Sequence, residues 1–232
     1  MNNYVYKIGF WSALVCALTF ILFTVCFVGV VLTSPVFVWT NLADYIAYVE
    51  AYGLFWQQGA RFCMLLFAPM FLVLLNTIHE VVPDEKKLFS RIALTFGIGF
   101  SVLVATFYFV QLTAVRFAIQ LGQTSGLEQV VQANPLSAFS AINMLGWTLF
   151  LGSTTLCLVP IFGNGRLQKT IRYAFILNTI FCFLGGIAYI MQWLIILFFT
   201  INLGMGGAIT VSTIALMMYF RRGLQMSETL PV

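Results

Sequence analysis

The chain contains very little charge. Charged residues make up 8% of its 232 residues and hydrophobic residues 61%, whereas a soluble domain carries roughly 25% charged residues. Such a composition excludes an ordinary soluble domain. The net charge of +4 comes from a few loop residues and not from a basic surface, so we expect a membrane protein that has no nucleic-acid partner.

Residues that transfer protons or bind metals are also scarce. His79 is the only histidine, and together with Glu80 it offers too few ligands for a typical zinc site. The five cysteines form no C-x-x-C pair and lie in apolar stretches, which is typical of small packing residues. No Asp, Glu or His lies in the middle of an apolar stretch, which argues against proton-coupled transport. The sequence therefore predicts no catalytic residue, no metal site and no cofactor.

Six apolar stretches are long enough to cross a bilayer, which takes about 20 mainly apolar residues in a helix. They cover residues 10–33, 54–78, 91–115, 136–160, 173–193 and 195–220. The first is too long for the apolar core of a cleavable signal, so we expect it to remain as a helix. These stretches predict an all-α bundle of six transmembrane helices that forms a single domain over residues 1–232.

The Lys and Arg residues alternate between the two ends of this bundle, and their bias in short loops sets the orientation of insertion. Nine of the eleven lie at one end: Lys7, Lys86, Lys87, Arg91, Arg166, Lys169, Arg172, Arg221 and Arg222. Only Arg61 and Arg116 lie at the other end. We therefore predict that both termini are cytoplasmic and that the basic loops contact anionic membrane lipids.

The first outer connection, residues 34–53, mixes aromatic and acidic side chains. Trp39, Tyr45, Tyr48 and Tyr52 alternate with Asp44 and Glu50. Aromatic rings of this kind collect at the level of the lipid headgroups. We expect the segment to lie at the membrane interface.

Two predicted helices have a face of small residues at every fourth position, and such faces promote close helix packing in lipid. The residues are Gly97, Ser101 and Ala105 in one helix and Gly204, Ala208 and Ser212 in another. They favour packing inside the bundle, and the alternative is a contact with a partner membrane protein.

Polar side chains are concentrated in the outer half of the predicted bundle. They are Gln57, Gln58, Arg61, Tyr108, Gln111, Arg116, Asn143, Gln192 and Asn202, and all of them except Gln58 and Tyr108 are predicted ligand-binding residues. Polar side chains at lipid depth are costly and usually face the protein interior or a wet cavity, so this set predicts an outward-facing pocket for an anion. In the alternative interpretation, Arg61 and Arg116 pair with Asp44, Glu50 or Glu128 and the amides only join helices.

The favoured function is therefore a non-enzymatic membrane protein whose outer pocket binds a small or lipid-like anionic ligand. The alternative is an accessory or assembly subunit of a membrane complex that docks through its small-residue faces. An intramembrane enzyme is less favoured, because no paired acid and base is apparent.

Several short sequences match a pattern found in other proteins. They are Asn134-Pro135-Leu136, Leu145-Gly146-Trp147, the segment 162–167, Arg172, Asn178 and Gly185-Gly186. With these residues the chain resembles uncharacterised bacterial six-helix inner-membrane proteins. The resemblance implies a location in the bacterial inner membrane, and it implies no activity and no functional residue.

Overall fold

The computed structural model describes residues 3–229, with side chains up to Met226. Residues 1–2 and 230–232 of the predicted domain, including the C-terminus predicted to be cytoplasmic, lie outside this range. Within it every regular element is helical, and six helices have the length and apolar composition of membrane spans. The predicted all-α bundle of six spanning helices is confirmed.

The spanning helices agree with the predicted stretches and extend several of them. They are α1 (Asn3–Thr33), α3 (Phe55–Val81), α4 (Asp84–Gln120), α5 (Ala138–Ile161), α6 (Arg166–Ile190) and α7 (Leu194–Met226). The additional element is α2 (Leu42–Tyr52), a short helix in the outer connection. The extra turns of α1, α4 and α6 carry Lys or Arg at the predicted cytoplasmic end, where hydropathy falls but the helix continues.

Local sequence explains where several helices begin. The Asn41 side chain accepts a hydrogen bond of 2.9 Å from the Asp44 amide and so caps α2. Ser137 does the same for α5 by accepting from the Ser140 amide at 3.1 Å. Pro69 leaves α3 continuous, and its ring is exposed on the outside of the bundle.

The six spanning helices form a ring in chain order. Each packs against the next, and α1 closes the ring by packing against both α3 and the 206–226 part of α7. Aromatic residues fill the centre, where Phe67 stacks on Phe71 and on Trp147 while Phe20 and Phe100 meet them edge to face. Ring pairs of this geometry add about 0.5–1.5 kcal/mol each beyond their buried area.

Three of the spanning helices contain a π-helical segment. These segments are Gln111–Val115 in α4, Gly146–Phe150 in α5 and Phe199–Met205 in α7. A π turn widens the helix by one residue and rotates the later turns of the helix relative to an uninterrupted α-helix. All three lie toward the end of the bundle that carries α2, which we call the outer end.

The outer end is covered by a second, smaller hydrophobic cluster. Tyr45 and Tyr48 of α2 pack with Val115, Leu127 and Val131, and Phe37 and Trp39 pack beside them. The Ser34 hydroxyl shares a hydrogen bond of 2.7 Å with the Tyr48 hydroxyl. We call residues 34–53 and 121–137 the outer cap. The predicted interfacial segment thus includes a helix, which its aromatic and acidic composition alone did not reveal.

The small-residue faces already make contacts within the chain. A side chain at Gly97 would meet Leu75, and one at Gly204 would meet the ring of Phe181. Gly207 has open space beside it and lines a groove of about 730 Å³ between α6 and α7. A partner at these faces stays a prediction.

The charge asymmetry gives a testable orientation. We expect reporter fusions after Lys87 and Arg172 to report the cytoplasm and fusions at Glu50 and Glu128 to report the outside, because seven Lys and Arg residues lie in those two inner connections and at the preceding terminus. Paired alkaline phosphatase and green fluorescent protein fusions measure this. A cytoplasmic signal from Glu128 would reverse the outer and inner ends.

Candidate functional site

A cavity of about 630 Å³ lies under the outer cap, among α1, α3, α5 and α7. Its size falls within the range of roughly 300–1,000 Å³ that is usual for small-molecule sites. Most of the wall is aromatic or aliphatic. The polar lining residues are Gln57, Arg61, Tyr45, Tyr48, Tyr108, Gln132, Asn143 and Asn202.

Arg61 is the one charged residue in the described lining of the cavity. It lies about 9 Å along α3 from the first residue of that helix, at about 1.5 Å per residue. Its side chain is only 4% exposed, Nε donates a hydrogen bond of 2.8 Å to Gln132 Oε1, and Nη1 has no hydrogen-bond partner. The guanidinium therefore has donor capacity left over at the cavity wall.

No carboxylate among the described side chains, residues 3–226, neutralises Arg61. Within this range the structure contains one ion pair between side chains, Lys87 with Asp84 at 3.4 Å on the inner end. Asp44, a candidate partner from the sequence, instead accepts hydrogen bonds from Thr40 Oγ1 at 2.6 Å and Asn41 Nδ2 at 2.9 Å. The structure thus favours an unpaired Arg61 over the salt-bridge alternative.

Gln132, which accepts the Arg61 hydrogen bond, is held in place from behind by Gln111. The Gln111 amide donates to the Val130 carbonyl at 2.6 Å, and its oxygen accepts from the Gln132 backbone amide at 3.0 Å. Gln111 is fully buried within the π segment of α4. It joins the outer cap to α4 and orients Gln132 toward Arg61.

A second polar patch lies beside Arg61. Tyr108, which is 5% exposed, Asn143 and Trp147 line the cavity near the guanidinium. The Asn143 Oδ1 atom is buried and has no hydrogen-bond partner. The patch thus combines guanidinium, phenol and indole donors with a free amide oxygen, which can only accept a hydrogen bond.

The structure brings together four of the seven site residues predicted from the sequence. Gln57, Arg61, Asn143 and Asn202 line the cavity. Asn202 lies on the π segment of α7 and donates to the Phe198 carbonyl at 3.0 Å. Gln111 lies behind the wall and acts through Gln132.

Arg116 and Gln192 are not among the lining residues. Arg116 comes directly after the π segment of α4, which rotates it away from the face that carries Tyr108, and its guanidinium carbon lies 4.8 Å from the centre of the Phe117 ring. Gln192 occupies the turn between α6 and α7 with a φ of 58°, and its side chain donates to the Tyr189 carbonyl at 3.1 Å. The two arginines are therefore not joined in one pocket.

Three residues beside Arg61 are outside the predicted ligand-binding set. Gln132 meets Arg61 across 71 residues of sequence from an irregular segment, where no periodicity indicates the contact. Trp147 has the sequence signal of an ordinary aromatic core residue. Tyr108 belongs to the polar residues of the outer half that the sequence identifies, but it is not among the predicted ligand-binding residues.

This set of groups fits the binding of an anion. The described lining contains a permanent cation and several neutral donors but no Asp, Glu, His or Cys. Charge-assisted hydrogen bonds to Arg61 are the strongest interaction that the wall can offer a ligand.

Comparisons of the chain with protein-family models, with curated proteins and with solved structures found no match.

The role of Gln111 predicts a stability effect. Replacing Gln111 with Leu leaves the Val130 carbonyl and the Gln132 amide without their partners, at about 1–3 kcal/mol for each buried group. We expect a lower midpoint of thermal unfolding in nanodiscs and faster hydrogen exchange at the Gln132 amide. The exposed Gln120, in the last turn of α4, provides the control: Gln120→Leu should change neither quantity. Equal effects of the two substitutions would contradict the role of Gln111.

Proposed function

We propose that this protein binds an anionic ligand in the outer cavity and that Arg61 is the counter-charge. One observation carries the proposal: Arg61 lines the cavity, is only 4% exposed, has no carboxylate partner within residues 3–226 and has a buried Nη1 without a hydrogen-bond partner. Removing an ion from water costs several kcal/mol unless an opposite charge compensates it. An anionic ligand provides that compensation.

The surroundings of Arg61 support binding in a fixed orientation. Gln132 occupies Nε through a hydrogen bond of 2.8 Å, which leaves the Nη atoms for an acceptor. Tyr108 and Asn143 line the same cavity. An anionic acceptor beside them would receive hydrogen bonds from the Arg61 guanidinium of α3 and the Tyr108 phenol of α4, two neighbouring helices of the ring.

We propose binding and not catalysis as the role of this site. Acid–base catalysis needs a side chain whose pKa is near the working pH, and the polar groups of the described lining belong to Arg, Tyr, Trp, Asn and Gln side chains. If the membrane is a bacterial inner membrane, as the resemblance implies, the cavity lies in the periplasmic half of the bundle.

Neutralising Arg61 tests the proposal. The protein is purified in nanodiscs formed directly from its native membrane, and native mass spectrometry measures any bound mass. We expect an acidic bound species in the wild type and its loss in Arg61→Gln. Thermal unfolding of the variant in ligand-free nanodiscs should change little, because the substitution removes a buried unpaired charge as well as one hydrogen bond.

Arg116→Gln is the matched control, because Arg116 lies at the same end of the bundle but outside the cavity lining. This variant should keep the bound species. The proposal is wrong if Arg61→Gln retains the bound species as fully as the wild type does, or if both arginine variants lose it equally.

A further inference from the structure

The shape of the cavity also indicates what the rest of the ligand is like, beyond its anionic group. The wall away from Arg61 is long, apolar and built from two helices. On α1 it consists of Phe20, Phe23, Phe27, Val30 and Val31, and on α7 of Phe198, Ile201 and Met205. On α1 Phe20, Phe23, Phe27 and Val31 follow each other at three or four positions and so share one face. Ile201 and Met205 of α7 lie in its π segment, and both line the cavity.

The two helices separate toward the outer end. Near the middle of the bundle the ring of Phe20 lies against Gly206 of α7. Farther out, residues 194–205 of α7 pack mainly on α6 and not on α1. The contact across the gap at this level is between the rings of Phe27 and Phe198, whose centres are 6.1 Å apart.

The lining of the cavity runs from buried to exposed residues. Arg61, Phe20 and Trp147 line it and are 4%, 3% and 4% exposed. Val31 and Phe198 also line it and are 50% and 43% exposed. Val31 and Phe198 belong to membrane-spanning helices, which is the basis for placing the opening toward the outer leaflet.

We infer that the ligand of this cavity is an amphiphile with an anionic head group, which enters sideways from the outer leaflet between α1 and α7. The head group lies at Arg61, Tyr108 and Asn143. The apolar tail lies between Phe23 and Phe27 of α1 and Ile201 of α7 and leaves past Val31 and Phe198. This inference rests on the proposed function, because it assigns the ligand class of the same site.

The alternative within the proposed function is a small polar anion such as a short carboxylate. It would leave most of the wall unused, since polar lining groups occur near Arg61 and under the cap, while the α1 and α7 faces are apolar except for Asn202. Each methylene group of a ligand that moves from water to an apolar wall raises the affinity of the ligand about fourfold. This wall would therefore bind a ligand that has an apolar tail more tightly than a ligand with the same head group and no tail.

The test compares the binding of three probes to the protein in nanodiscs of zwitterionic lipid. The probes differ from one another in the head group or in the tail. Decanoate has both head and tail, butyrate has the same head with almost no tail, and decyltrimethylammonium has the same tail with the opposite charge. Equilibrium binding is measured at matched free concentrations for the wild type, Arg61→Gln and Arg116→Gln. Correct folding of each variant is checked by its thermal midpoint.

We expect decanoate to bind the wild type at least about tenfold more tightly than either other probe. Arg61→Gln should lose about tenfold or more of the decanoate affinity, and Arg116→Gln should keep it. If Arg61→Gln does not fold, the wild-type comparison of decanoate with decyltrimethylammonium still decides whether the head-group charge matters.

A decanoate analogue with a photoreactive diazirine in the tail tests the route. We expect labelled residues on α1 between 20 and 31 and on α7 between 198 and 205. The lipid-facing Val102 of α4, which is 58% exposed, is the internal control and should be labelled no more than the bulk surface.

The outcomes separate the two levels of the proposal. Butyrate that binds as tightly as decanoate in an Arg61-dependent manner would overturn the amphiphile and leave the anion site standing. Arg61-dependent decanoate binding with labels spread evenly over the lipid-facing helices would overturn the lateral route. If neither decanoate nor butyrate binds in an Arg61-dependent manner, the proposed function itself is wrong.

Discussion

The outer half of this bundle is organised around one buried positive charge. Arg61 is fixed by α3, is 4% exposed and has no carboxylate partner within residues 3–226. A lone guanidinium in such a place is expensive, and the surrounding structure reduces the cost in only one visible way, through the neutral Gln132. The cavity, the polar patch at Tyr108 and the bond to the outer cap all meet at this group.

Secondary structure supplies the geometry that this charge requires. The π segments of α4, α5 and α7 carry Gln111, Trp147 and Asn202, so each places one residue of the site or of its support. In a straight α-helix these side chains would be rotated relative to their neighbours. The π segment of α7 also ends at Met205, whose carbonyl accepts a hydrogen bond of 3.2 Å from Asn178 Nδ2 in α6. The wall of the cavity is thereby attached to the buried core between α5, α6 and α7.

The sequence predicts the fold well and the site in part. Spanning helices can be derived from hydropathy because lipid allows few alternatives for an apolar stretch of this length. Gln57, Arg61, Asn143 and Asn202 were found from depth alone, since polar residues at one level of a small bundle tend to face the same space. Arg116 shares that depth but not that direction, because a π turn precedes it. Gln132 could not be found, since its contact with Arg61 depends on how an irregular segment folds back over the bundle.

A density map of the protein in nanodiscs formed from its native membrane, without detergent, is the most direct test of an anionic amphiphile at Arg61. We predict non-protein density within hydrogen-bond distance of Arg61 Nη1, with an elongated part that runs between α1 and α7 toward Val31. A map in which the Arg61 guanidinium binds a protein carboxylate, with continuous side-chain density through the space between Phe23 and Ile201, would contradict this prediction.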